Sequence, residues 1–161
     1  MLRIALALSL LAPAAFAPAA LAQDSNATLA KKMSLGTLMT EEDFRAMTDG
    51  NTITYNNQGV DLYREYYRPG TNRIVIEWTT PGPDGQINCD IGTWRAEADT
   101  ICFDWNRSGS VCAVWVDYEG EYISELVIDG ERRGNIERIS EITQTPLYCE
   151  VGLVSLPSAA G

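Results

Sequence analysis

The chain contains no histidine. That absence removes the Ser-His-Asp and Cys-His nucleophile systems, because both need an imidazole to move the proton. No Ser-x-x-Lys motif supplies a lysine base in its place. Zinc loses its commonest nitrogen ligand as well, and the four cysteines, Cys89, Cys102, Cys112 and Cys149, contain no Cys-x-x-Cys pair. Neither a zinc site nor a thioredoxin-like redox motif is expected. Positive charge is scarce: 12 Lys and Arg stand against 22 Asp and Glu, a net charge of −10. Without clustered basic residues, nucleic acid and anionic membrane are not expected partners. Excess negative charge has a simpler use in keeping an exported protein dispersed.

Long apolar runs are also missing, with one exception at the start. Met1-Leu2-Arg3 carries a single positive charge, and Ile4 to Ala22 is apolar apart from Ser9, Pro13 and Pro18. Ala20-Leu21-Ala22 offers small residues where a signal peptidase reads them, followed by polar Gln23-Asp24-Ser25. Cleavage after the earlier Ala15-Phe16-Ala17 would leave Pro18 at the new terminus, so the cut is expected after Ala22. A retained anchor needs about 20 apolar residues, but the two prolines and many alanines argue for removal. A lipid anchor would need a cysteine directly after the cut, and the first is Cys89.

The expected organisation is a signal peptide over 1–22, a leader over 23–39, a single β-rich domain over 40–150 and a flexible tail over 151–161. The product is periplasmic or secreted and, after signal removal, not inserted in a membrane. Losing Arg3 takes its net charge to −11, and 139 of the 161 residues remain, enough for one domain with its own core. An even number of cysteines in an exported chain points to disulfides.

What is present reads mainly as strand. Thr40 is a hydroxyl N-cap before Glu41-Glu42-Asp43, acids that suit the positive end of a helix, and Phe44 and Met47 give it an apolar side. This short helix is expected to end near Asp49-Gly50. Beyond it, segments rich in Ile, Val, Tyr, Trp and Thr alternate with Gly, Asn, Asp and Pro, and eight strands are expected near 51–56, 60–68, 72–79, 87–95, 100–105, 111–118, 121–129 and 134–142. Ile74, Ile76 and Trp78 fall on one face, with Arg73, Val75 and Glu77 on the other. One buried and one wet face per strand suits an antiparallel sheet. Short turns and the lack of crossover helices imply an all-β, up-and-down meander. It closes into a small barrel, for which a lipocalin-like form is one option, or a sandwich, with the short N-terminal α-helix at one end.

Thr100 to Val116 reads as one hairpin. A turn centred on Arg107 sets Phe103 against Val111 and Cys102 against Cys112, close enough for a disulfide. Cys89 and Cys149 then pair by elimination. A slip of one residue would separate Cys102 from Cys112, and four cysteines allow three connectivities.

Thr-Asp-Gly-Asn-Thr at 48–52, Gly92-Thr93-Trp94, Ile101-Cys102-Phe103 and Cys112 followed by Trp115 together resemble a broad group of small exported bacterial domains of unknown function. The likeness covers roughly residues 40 to 116, and Ala113 follows Cys112 where the group more usually has Trp. It implies a periplasmic β-rich domain and brings no catalytic residues.

Two other patterns bear on chemistry. Asp84, Gln86, Asn88 and Asp90 alternate as in a calcium loop, but Cys89 and Arg95 occupy the positions of the required glycine and glutamate. No metal, cofactor or catalytic residue is therefore expected. Glu77, Glu97, Asp99 and Asp104 are candidates for a hydrolase acid pair, but no spacing marks them out among 22 acids.

The aromatic set is more informative. Trp78, Trp94, Trp105 and Trp115 are expected to build the core, with a ligand cavity lined by some rings as the functional alternative. Tyr66, Trp78 and Trp94 are the candidate ligand contacts. The preferred reading is a non-enzymatic envelope module that binds a small apolar or glycan ligand, or an envelope protein. A carboxylate-pair hydrolase and an inhibitor or assembly factor are the alternatives.

Overall fold

A computed structural model of the chain describes residues 17–81 and 87–150, with side chains from Asn26 onward. Most of the expected signal peptide, the Pro83-Asp84-Gly85-Gln86 stretch and the expected tail 151–161 lie outside the described residues. The elements are α1 (Ala17–Leu35), β1 (Thr37–Leu38), α2 (Glu41–Thr48), β2 (Thr52–Asn57), β3 (Val60–Tyr67), β4 (Arg73–Trp78), β5 (Asn88–Glu97), β6 (Thr100–Trp105), β7 (Gly109–Tyr118), β8 (Glu121–Ile128) and β9 (Glu131–Thr143).

Strands β2 to β9 form a closed antiparallel barrel in which each strand pairs with its neighbours in sequence and β9 returns to β2. The sandwich alternative is thereby excluded. Four of the hairpins turn in two residues, and in three of them, Gln58-Gly59, Glu119-Gly120 and Asp129-Gly130, both residues have positive φ. These are primed turns, whose twist matches that of the flanking strands, and glycine at the second position makes them easy to form. The closing seam runs from Thr52↔Thr143 to Asn56↔Arg138, with a register shift at Thr54/Tyr55 that helps bend the sheet round.

The helix α2 forms for the reasons its sequence suggests. Thr40 Oγ1 accepts from the Asp43 backbone N–H at 3.2 Å, and the Asp43 carboxylate accepts from the Thr40 N–H at 3.0 Å. This reciprocal cap satisfies two donors that a helix end otherwise leaves unpaired. The helix lies across the barrel end where β2 begins, and it drives Phe44, fully buried, between Tyr67, Trp94, Phe103 and Trp115 at ring separations of 5.1–6.3 Å.

The outside of the barrel is not uniformly wet, contrary to the expectation of one solvated face per strand. Val116, Ile123 and Ile136 pack beneath Leu29 and Met33 of α1, so this outer patch is covered by a helix. The strand β6 is short and pairs only as far as Ala113 of β7, and β1 pairs beyond it, at Leu38↔Val116 and Thr37↔Asp117. On the other side, Val75 and Glu77 are buried on the outer face of β4. There the chain after β9 is tied down by Cys89–Cys149, by an Arg68–Glu150 ion pair at 2.8 Å and by Thr52 donating to the Thr145 carbonyl.

Both disulfides are present. Cys102 and Cys112 face each other across β6 and β7 in the register expected from the hairpin, with Phe103 opposite Val111. Among the described residues no helix is long and apolar enough to cross a membrane.

Candidate functional site

Alternation along the strands decides what enters the barrel. Ile53 and Tyr55 of β2, Tyr67 of β3, Ile74 of β4, Trp94 of β5 and Trp115 of β7 pack round Phe44 and fill the half nearest α2. The other half is hollow. A cavity of about 210 Å³ remains between Tyr63, Trp78, Phe103, Trp105 and Trp115, with Ile76, Leu126 and Ser124 completing its walls. Trp78 and Trp105 are half-exposed and Ser108 is exposed, so they stand at its mouth, opposite the α2 end.

The mouth is held by a polar anchor. Asp90 Oδ2 accepts from the backbone N–H groups of Arg107 and Ser108, both at 3.0 Å, and from the Ser108 hydroxyl at 2.9 Å. Burial pushes the Asp90 carboxyl up, but these donors and the Ile91 N–H outweigh it and hold the group below its ordinary range. Gly92 sits directly across from Trp105. A Cβ there would lie 2.5 Å from the Asp104 carbonyl and 2.8 Å from the Trp105 ring, so the absence of a side chain lets Trp105 lie against the strand.

Two carboxyl groups line this apolar space. Glu65 sits on β3 between the inward-facing Tyr63 and Tyr67, and it is 4% exposed. Tyr67 donates to Glu65 Oε2 at 2.7 Å, and the Tyr55 and Tyr67 hydroxyls share a hydrogen bond of 2.9 Å. Glu137, on β9, accepts from the Tyr63 hydroxyl, and the Tyr63 ring stacks on Tyr55 with 4.6 Å between centroids. Burial pushes Glu65 up to about 7; the tyrosine hydroxyls oppose that shift and the Glu137 charge adds to it. Glu137 is also raised by burial, against the Tyr63 hydrogen bond.

The same burial, with the Glu65 charge behind it, raises the Tyr55, Tyr63 and Tyr67 phenols well above their ordinary value and keeps them as donors. No Lys or Arg lines the cavity. Among the described residues, no ion pair includes Glu65 or Glu137. Trp115 also lines the space, and its indole Nε1 is buried with no hydrogen-bond partner among the described residues.

Of the three candidate ligand contacts, Trp78 lies at the mouth. Trp94 lies in the filled half against Phe44 at 5.1 Å, with the Arg45 guanidinium over its indole, 4.6 Å from the ring centroid. Tyr66 is half-buried on the outer side of β3. The structure therefore does not bring these three together. The candidate acids are dispersed: Glu77 pairs with Arg64, Glu97 and Asp104 both pair with Arg95, and Asp99 lies in an exposed turn. None of them lines the cavity.

Glu65 and Glu137 were hidden among 22 acids. The signal that points to Glu65 is its position between two tyrosines of the same strand face, where an acid must share the aromatic side. The His/Cys/Asp/Glu grouping found among the described residues, Glu97, Cys102 and Cys112, has both sulfurs in a disulfide and offers no thiolate to a metal. Asn88 accepts from Arg107, and Asp90 is taken up by the Arg107–Ser108 turn, so these two residues of the calcium-like pattern serve the loop.

A wider groove of about 590 Å³ runs beside α2 and the β7–β8 turn, past Leu38, Asp43 and Glu119. Most of its lining is exposed or half-buried, its buried members Met39 and Met47 are apolar, and it gathers no buried polar group. Exposed large apolar residues, such as Val60, Ile128 and Tyr148, occur at separate places in the fold. No family model, curated protein or solved structure matches the chain.

Proposed function

We infer that this is an exported, non-enzymatic binding module of the bacterial envelope whose hollow half-barrel receives one small molecule. The observation that carries this reading is the cavity itself: about 210 Å³ left open between aromatic walls, with polar groups gathered on one side. A core built only for stability closes such space, because interiors pack about as densely as organic crystals. Ligand cavities of drug size run to about 300–1,000 Å³, so the occupant is compact. The signal-peptide pattern expected over 1–22, the two disulfides and the resemblance to small exported domains support a periplasmic or secreted address. The retained part of α1 supports it too, since its buried contacts, Leu29 and Met33, both follow the expected cut after Ala22.

Native mass spectrometry of the freshly purified protein, followed by a thermal-shift screen of small molecules, tests the reading. A co-purifying mass or a stabilising compound whose effect is lost in Trp105→Ala is expected. A protein that carries nothing, responds to nothing and shows no density for any molecule in its cavity would sink it.

One observation favours a second reading, hydrolysis by an acid pair: Glu65 and Glu137 share the cavity, and burial pushes Glu65 up to about 7, a value suited to a general acid. Size argues against it. A glycosidic bond joins a sugar to a leaving group, and both must lie beside the acid pair; a space of about 210 Å³ does not enclose a sugar ring together with a second ring. Turnover of an aryl glycoside that disappears in Glu65→Gln would reverse the ranking.

A further inference from the structure

The reading of the barrel as a binding site leaves the ligand's chemistry open, and the cavity wall narrows it. We propose that the cavity takes a small organic ammonium ion, its charged nitrogen held by Glu65 and Glu137 and its alkyl groups lodged against Trp78, Phe103 and Trp105. This rests on the ligand-binding reading above and goes beyond it by fixing the sign of the ligand's charge.

Two observations converge on a cation. First, the two carboxyl groups in the walls have no cationic partner among the described residues. A buried carboxylate without a counter-charge is costly, and a neutral apolar ligand would remove its remaining water and offset nothing. An anion would be repelled. Second, the walls are faces and edges of Tyr55, Tyr63, Trp78, Phe103, Trp105 and Trp115, and aromatic faces attract an alkylammonium through their quadrupole, tryptophan most strongly.

A bare metal ion fits poorly. Calcium takes six to eight oxygens, whereas here two carboxyl groups are set among hydrocarbon rings.

The groups that face Glu65 are the Tyr55, Tyr63 and Tyr67 phenols and the Glu137 carboxyl. The phenols stay protonated across the neutral range, so the charge of the site is set by the two acids. Ammonium binding therefore tightens as pH rises through about 7, where Glu65 releases its proton.

Isothermal titration calorimetry with matched probes tests the charge requirement. The probes are choline, its neutral isostere with tert-butyl in place of trimethylammonium, the tert-butylacetate anion, and n-butylammonium beside n-butanol. Choline or n-butylammonium is expected to bind at least about tenfold more tightly than its neutral partner, and the anion not to bind. Glu65→Gln and Glu137→Gln are each expected to remove most of that advantage by weakening ammonium binding, with the neutral isostere binding no more weakly than to the wild type. If Glu65→Gln does not fold, as judged by circular dichroism, Glu137→Gln and the wild-type charge series carry the test.

Equal binding of charged and neutral partners overturns the ammonium inference and leaves the binding-module reading intact. Failure of both ammonium ions to bind also overturns it, and the native mass spectrum then decides separately whether the cavity binds anything.

Discussion

The two halves of the barrel interior are built from the same residue types and end differently. Near α2, Phe44 enters from outside the meander and meets Tyr67, Trp94, Phe103 and Trp115 edge-on, leaving a solid core. Toward the other end no such plug arrives among the described residues, and Trp78, Trp105, Glu65 and Glu137 surround open space. A closed eight-stranded barrel leaves an interior that side chains can just fill. Whether it fills is decided here by one residue of a short helix at one end and by its lack of a counterpart at the other. Dense packing is thus concentrated in one half and open space in the other.

The sharpest way to break that contrast is Phe44→Ala. Removing the plug is expected to cost about 3–5 kcal/mol in a denaturant melt, and a loss under about 1 kcal/mol would mean the two halves are energetically alike.

Next in size is the effect of pH on the hollow half. The Glu65 carboxyl is near 7 in the fold against an ordinary 4.5, so the folded state holds this proton more tightly than the unfolded state does. Its contribution to stability is fully present below about 4.5 and is lost as pH rises through about 7, a difference on the order of 3 kcal/mol. Glu137 acts in the same direction. Melts between these pH values are expected to show stability falling toward neutrality, and Glu65→Gln to flatten most of the slope. A wild-type profile that rises with pH would contradict the burial described for this group.

A smaller effect is expected from Gly92→Ala. The new methyl meets the Asp104 carbonyl and the Trp105 ring, for a loss of about 1–3 kcal/mol and a shift in tryptophan fluorescence as Trp105 moves at the mouth. The smallest belongs to Trp78→Ala. A half-exposed side chain beside a void leaves little packing to lose, so the melt is expected to move by about 1 kcal/mol or less while ligand response is weakened. If Trp78→Ala destabilises as much as Phe44→Ala, the mouth is a structural part of the core after all.

Local features were legible in the sequence. All eight barrel strands were visible because most are short β-branched and aromatic runs bounded by turn residues; β9, long, charged and without an aromatic ring, was seen only over 134–142, through its spaced isoleucines. The helix α2 was visible because Thr40 and the three acids after it form a cap. The Cys102–Cys112 pairing followed from hairpin register. The site was not legible to the same degree, because it depends on what faces what across the barrel. Trp94 and Trp105 look alike in sequence, yet Trp94 lies under Phe44 and Trp105 at the mouth. Tyr66 differs from its neighbours Glu65 and Tyr67 only by the parity of its position. The cover over Val116, Ile123 and Ile136 was also hidden, since it comes from Leu29 and Met33, far off in the chain and in a segment with weak amphipathic pattern.

The seam between β2 and β9 sets the order in which the barrel can be made. Every other pairing in the ring joins strands that are neighbours in sequence and can form as the chain emerges, but Thr52 must wait for Thr143. Until then both β2 and β8 present open edges, the kind of template on which chains pair with one another. A chain that folds as it emerges N-terminus first is thus most prone to self-association just before its last strand arrives, and a product truncated ahead of Glu131 would stay in that state.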